Sequence, residues 1–269
     1  MNSHTTVTRQ TDGAWLARSA VLVYGVIAYS AFLGTILYAI GFVGNFVVPK
    51  SIDSGAASPL GASLLVNTAL LSLFVLQHTV MARPAFKRWW MPIVPTSIER
   101  STFVLVTCAI LALLFTHWRP LPGVVWSVTH PSASAALTAL SFVGWGIVLA
   151  SSFMVSHFDL FGLRQTWFRF TDRAYVPVGF RLVGLYRVVR HPLMLGFLIA
   201  FWSTPTMTVG HLFFAGMVTM YIRFGTWMEE RDLVAEHGEH YRAYRRGVSY
   251  IVPLPRFRRR AIGAVESAR

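Results

Sequence analysis

Of the chain's 269 residues, 54 % are hydrophobic and only 13 % are charged, about half the charged share of a soluble domain. The formal charge is +13, but the basic residues sit in short clusters between long uncharged stretches, the pattern of membrane loops and not of a nucleic-acid surface. A single cysteine, Cys108, lies inside an apolar run, which excludes a disulfide framework and a cysteine-based metal site.

The first fifteen residues are polar and the apolar stretch after them is too long for a signal-peptide core, so a retained spanning helix is expected over 21–48. Further spans are predicted over 60–81, 101–118 and 135–158. In the last of these, Gly144 and Gly146 would permit a close helix contact. Residues 192–222 carry no formal charge and are interrupted by Pro205, which predicts a helical hairpin with its tip there. Each arm has about 13 residues, about 20 Å at helical rise, short for a full crossing. The fold expected is all-α, a polytopic bundle of about five to six membrane helices with the hairpin last, under a C-terminal cap. Residues 1–157 read as the N-terminal membrane helices. Residues 158–269 read as one integrated domain of loop, hairpin and cap.

Charge sets the topology. Arg83, Lys87, Arg88 and Arg100 follow the second stretch, and Arg164, Arg169, Arg173, Arg181, Arg187 and Arg190 follow the fourth. The intervening loops are nearly uncharged. With Arg9 and Arg18 near the start, the positive-inside rule places both termini in the cytoplasm. The Arg256, Arg258, Arg259 and Arg260 cluster reads as an anchor against lipid headgroups.

Two stretches carry candidate chemistry. In Arg190-His191-Pro192, Pro192 suits the first turn of a helix, where its missing N–H costs nothing. Arg190 and His191 then stand at a helix mouth that attracts a carboxylate or phosphate. The second stretch is Glu229-Glu230 directly after an apolar segment, where unpaired charge is costly, followed by Gly238, Tyr241 and Tyr244. The two tyrosines share a helical face that could stack on an adenine or close a pocket.

Together these stretches resemble the isoprenylcysteine carboxyl methyltransferase-like superfamily of membrane enzymes. Its C-terminal signature has Arg-His-Pro, an apolar hairpin, a Glu-Glu pair, Gly-x-x-Tyr-x-x-Tyr and a closing Val-Pro segment, here Val248 to Pro253. Met194, His237 and Ser249 depart from the carboxyl methyltransferase pattern and point to another branch. The segments Gln77 to Pro84, Glu99 to Thr102, His157 to Gln165 and Tyr186 to Phe201 are similar to the bacterial methanethiol S-methyltransferases of that superfamily. The resemblance implies an S-adenosylmethionine-dependent enzyme of the bacterial inner membrane that methylates a small thiol. It also implies a donor site built from Arg190, His191, Pro192, Gly196, Glu229, Glu230, Tyr241 and Tyr244.

Methyl transfer from a sulfonium is an in-line displacement, mainly a positioning problem. A simple thiol is mostly protonated near neutral pH, so a base would help. His78 and His157 are the candidates, with Asp159 to orient an imidazole. The nine histidines make no metal motif, and no GxGxxG unit marks a soluble nucleotide-binding fold. The alternatives are another acceptor (a larger thiol, a lipid amine or a carboxylate) or a non-enzymatic membrane transport or assembly protein.

Overall fold

A computed structural model describes residues 4–56, 58–179 and 182–253, with side chains from residue 14 onward. The Arg256–Arg260 cluster and Arg181 lie outside the described residues. The helices are α1 (His4–Gly44), α2 (Leu60–Ala82), α3 (Pro84–Trp90), α4 (Thr96–His117), α5 (Pro131–Val155), α6 (His157–Leu160), α7 (Leu163–Phe170), α8 (Pro192–Trp202) and α9 (Val209–Gly247). Two short strands, β1 (Val124–Ser127) and β2 (Thr206–Thr208), pair antiparallel. Proline marks several helix starts: Pro84 and Pro192 occupy first-turn positions, and Pro59 and Pro95 precede α2 and α4. At each the ring fixes φ and removes a donor the first turn would leave unpaired.

Helices α1, α2, α4 and α5 are long and apolar enough to cross a membrane, and the protein is an all-α, polytopic integral membrane protein. With 11 residues, α8 is about 16 Å long against a hydrocarbon core of about 30 Å. The structure shifts three expected boundaries. Helix α1 starts well before residue 21. The fourth span ends at Val155, so His157 and Asp159 belong to a separate short helix and not to the end of the span. The hairpin turns around Pro205 as expected, with β2 paired to β1 there, but its second arm runs past residue 222 without a break through Glu229 and Glu230.

The chain divides into two compact units. The first comprises Met1–Arg119 with Ser156–Gly179. Here α1 packs on α4 and α7, and α2 packs on α4. Asn67, fully buried within α2, donates to the Arg119 carbonyl at 2.8 Å and accepts from the Arg119 amide at 2.9 Å. An amide side chain thereby satisfies backbone groups just past the end of α4 that hydrocarbon would leave unpaired.

The second unit comprises Pro120–Val155 with Phe180–Arg269. Its centre is the crossing of α5 and α8, where Gly144 faces Gly196. A Cβ on Gly196 would stand 2.7 Å from the Gly144 carbonyl oxygen and 2.8 Å from the Val148 nitrogen. The backbones meet directly, and Ser141 Oγ donates to the Ala200 carbonyl at 2.9 Å, as small residues allow between membrane helices. The close contact expected at Gly144 is present; at Gly146 a Cβ would meet nothing.

Candidate functional site

The Arg-His-Pro and Glu-Glu stretches meet in the second unit. Arg190 and His191 follow a short 3-10 turn (Gly184–Arg187) and pair with the segment after α9: the Arg190 amide donates to the Ser249 carbonyl at 2.8 Å, and Val189 bridges Ser249 in parallel. Pro192 opens α8 and fixes where the two side chains leave the chain. Both reach Glu230, which is 6 % exposed. Arg190 Nε donates to Glu230 Oε1 at 2.6 Å, and His191 Nε2 lies 3.2 Å from the same oxygen. Arg245 Nε stands 3.3 Å from Oε2. One carboxylate is thus held by three basic side chains, the kind of pairing that makes a buried charge tolerable.

Burial works to raise the Glu230 carboxyl, but the hydrogen bonds and charges of His191 and Arg190 outweigh it and hold the group at about 2. Glu230 is therefore an acceptor, and the proton between it and His191 sits on Nε2. His191 Nδ1 faces Glu229 Oε2 at 3.7 Å, and the Glu229 side chain is 53 % exposed. The cluster has a buried floor of Arg190, His191 and Glu230 and an accessible rim of Glu229 and Arg245. Arg190 is spent on the floor: its Nη1 donates to the Val248 carbonyl at 2.6 Å and the Arg245 carbonyl at 3.1 Å.

Segment 239–250 returns to Glu230 because α9 reverses at Gly238, whose φ of 55° and ψ of −128° belong to glycine alone. Beyond it, Tyr241 and Tyr244 do not offer a stacking face. They are 1 % and 5 % exposed and pack with Val248, Leu182, Leu233 and Val234. The Tyr244 hydroxyl donates to the Tyr186 carbonyl at 2.7 Å. Burial raises both phenols, helped by Glu230 at Tyr241 and by Tyr241 at Tyr244. The pair braces the reversal because its face turns inward. Gly196 sits at the α5–α8 crossing, packed on the Gly144 backbone.

Three neighbours escaped the sequence reading. Arg245 completes the Glu230 cluster. Tyr250 stacks edge-on to His191 at 5.3 Å, lies beneath Arg190 and hydrogen-bonds Thr226. Tyr186 is pushed up to about 12 by burial and then by Glu229. Tyr186 and Tyr250 lie inside or beside the motif runs, which was the only signal available; nothing local marked Arg245.

The base candidates lie in the first unit. His157 is 3 % exposed, ringed by Phe32, Phe158 and Phe161, with Nε2 2.9 Å from the Tyr29 hydroxyl. Burial lowers its pKa, favouring the neutral ring. The His78 ring lies between Phe74 and Phe103. Asp159 does not orient an imidazole. It pairs with Arg164 at 3.2 Å and accepts from the Tyr175 hydroxyl at 2.9 Å, because the loop after α7 folds back over it. Glu99 pairs with Lys87 at 3.7 Å.

A rim with one accessible carboxylate and one accessible guanidinium beside aromatic rings has the chemistry to take a ligand that carries charges of both signs. Comparison with known proteins finds close relatives. The chain is 50 % identical over 240 residues to the methanethiol S-methyltransferase of Mycobacterium tuberculosis, covering 89 % of this chain and 98 % of that protein. It is 53 % identical over 244 residues to methanethiol S-methyltransferase 2 of Bradyrhizobium diazoefficiens, covering 91 % and 94 %. With the methanethiol S-methyltransferase of Crocosphaera subtropica the identity is 45 % over 243 residues, covering 90 % and 95 %. No family model and no solved structure matches.

Proposed function

Because the chain belongs to the methanethiol S-methyltransferase family, we propose that it transfers a methyl group from S-adenosylmethionine to methanethiol, giving dimethyl sulfide. The single observation that carries the donor assignment is the buried Arg190–His191–Glu230 cluster with its accessible Glu229 and Arg245. When bound, the donor supplies a methyl group activated on a positively charged sulfur. Glu229 would take the donor's cationic groups and Arg245 its carboxylate. Glu230 is a positioning residue: by holding Arg190, His191 and Arg245 together it sets the rim before any ligand arrives, so little reorganisation is needed on binding. Tyr241 and Tyr244 act one step further back, by bracing the segment that delivers Arg245.

The thiol proton needs an acceptor or an environment that favours thiolate. Of the two base candidates His157 is favoured by its hydrogen bond with the Tyr29 hydroxyl. Burial lowers its pKa and so favours the neutral imidazole, the form that can take a proton. Its Nε2 is held by Tyr29, which fixes the ring. Asp159 is assigned to loop structure. The enzyme is placed in the inner membrane with both termini cytoplasmic, on the support of the basic segments after α2 and before α8.

Purified protein in detergent, given S-adenosylmethionine labelled on the methyl group and methanethiol, should release labelled dimethyl sulfide, read by gas chromatography. Calorimetry should show S-adenosylhomocysteine binding that weakens at least tenfold in Glu229→Gln. Absence of both product and binding would refute the assignment. Binding without product on methanethiol, but with product on a larger thiol, would correct the acceptor alone.

A further inference from the structure

Helix α9 carries one exposed face that the methyl-transfer reading does not use. A depression of about 580 Å³ runs along it, lined by Thr219, Met220, Arg223, Phe224 and Trp227. Met220, Phe224 and Trp227 are 62 %, 48 % and 44 % exposed. One turn beyond, the Arg231 guanidinium lies 4.9 Å above the Trp227 ring. Arg223, one turn before Trp227, lies 5.4 Å above Tyr250. At about 100° per residue, positions 219, 220, 223, 224, 227 and 231 fall within a single arc of about 140°. Glu229, Asp232 and Glu236 fall on the opposite side. Glu230 falls within the arc, but its carboxylate is buried and already held by Arg190, His191 and Arg245.

We propose that this face binds one anionic phospholipid, with the phosphodiester against Arg223 and Arg231 and an acyl chain along Met220 and Phe224. The arrangement changes from apolar to basic where α9 passes from its uncharged part, 209–222, into its charged part, the point at which the hydrocarbon gives way to headgroups. An exposed tryptophan between two arginines suits that boundary: the indole prefers the interface, and guanidinium groups pair with phosphate through directed hydrogen bonds. Two cations on an arc whose one acid, Glu230, is already paired with other basic side chains select an anionic headgroup over a zwitterionic one. A free phosphate would leave the apolar half of the groove uncovered, so the occupant is the lipid.

The test is native mass spectrometry of the whole chain in detergent with equimolar phosphatidylglycerol and phosphatidylcholine. The wild type should retain phosphatidylglycerol first and several-fold in excess. Arg223→Gln with Arg231→Gln should reduce that preference at least threefold. Arg223→Lys with Arg231→Lys should keep most of it, showing that the fold is intact. Lys87→Gln with Arg88→Gln removes the same charge elsewhere and should leave the preference unchanged. Equal loss in the two glutamine pairs would mean general attraction to a basic protein, and no loss at positions 223 and 231 would place the lipid elsewhere. Either result overturns the proposal.

Discussion

Replacing Glu230 by Gln tests the buried cluster directly. The substitution keeps the shape and one acceptor but removes the charge opposite Arg190, His191 and Arg245. The carboxyl is held at about 2, against an ordinary 4.5, a depression worth on the order of 3 kcal/mol. The retained amide oxygen recovers part of this, so a loss of about 2–3 kcal/mol is expected at pH 7. For a chain of this size that is roughly 5–10 °C in melting temperature. The sign with pH is fixed by the direction of the shift. A depressed carboxyl contributes stability that is present above its ordinary value and is lost as pH falls through 4.5 toward 2. The gap between wild type and Glu230→Gln should therefore be constant above pH 5 and close between pH 4.5 and 2. Thermal melts followed by circular dichroism in detergent measure it, with the half-exposed Glu229→Gln as a control that melts within about 2 °C of wild type. A Glu230→Gln variant that melts with the wild type at pH 7, or a gap unchanged at pH 3, would refute the reasoning.

Gly196→Val drives a side chain into the Gly144 backbone and should cost about 3 kcal/mol or more, seen as reduced yield and a lower melting temperature. Gly238→Ala meets no steric neighbour, but its φ of 55° and ψ of −128° should cost about 1–3 kcal/mol and weaken S-adenosylhomocysteine binding by displacing Arg245. Because burial lowers the His157 pKa below its ordinary 6.5, the fold should lose stability as pH falls through 6.5; melts of His157→Gln should flatten that slope.

The sequence carried the pairing of two distant stretches, because both place charge beside apolar runs where a lone charge is unstable. Arg190, His191 and Glu230 therefore meet as their chemistry requires. Gly144 could be read the same way, as a small residue in an uncharged span. Other features depend on contacts that local pattern does not encode. The break at Ser156 is invisible to hydropathy because aromatic residues continue past it. Tyr29 reaches His157 across 128 positions, and the two have no shared periodicity. Arg245 reaches Glu230 only through the reversal at Gly238, and that same reversal turns Tyr241 and Tyr244 inward. Gly196 adjoins Arg-His-Pro in sequence, but the residue it packs on, Gly144, is on another helix.

Helix α9 joins the β1–β2 tip to Glu229 and Glu230 with no joint before Gly238. From Gly210 to Glu230 that rod is about 30 Å long, so a tilt of about 10° swings the carboxylates sideways by about 5 Å. Helices answer bilayers of different thickness by tilting. Host-membrane thickness thereby enters the geometry around Glu229 and Glu230, and lipids of graded chain length should tune turnover in the wild type without altering a single residue.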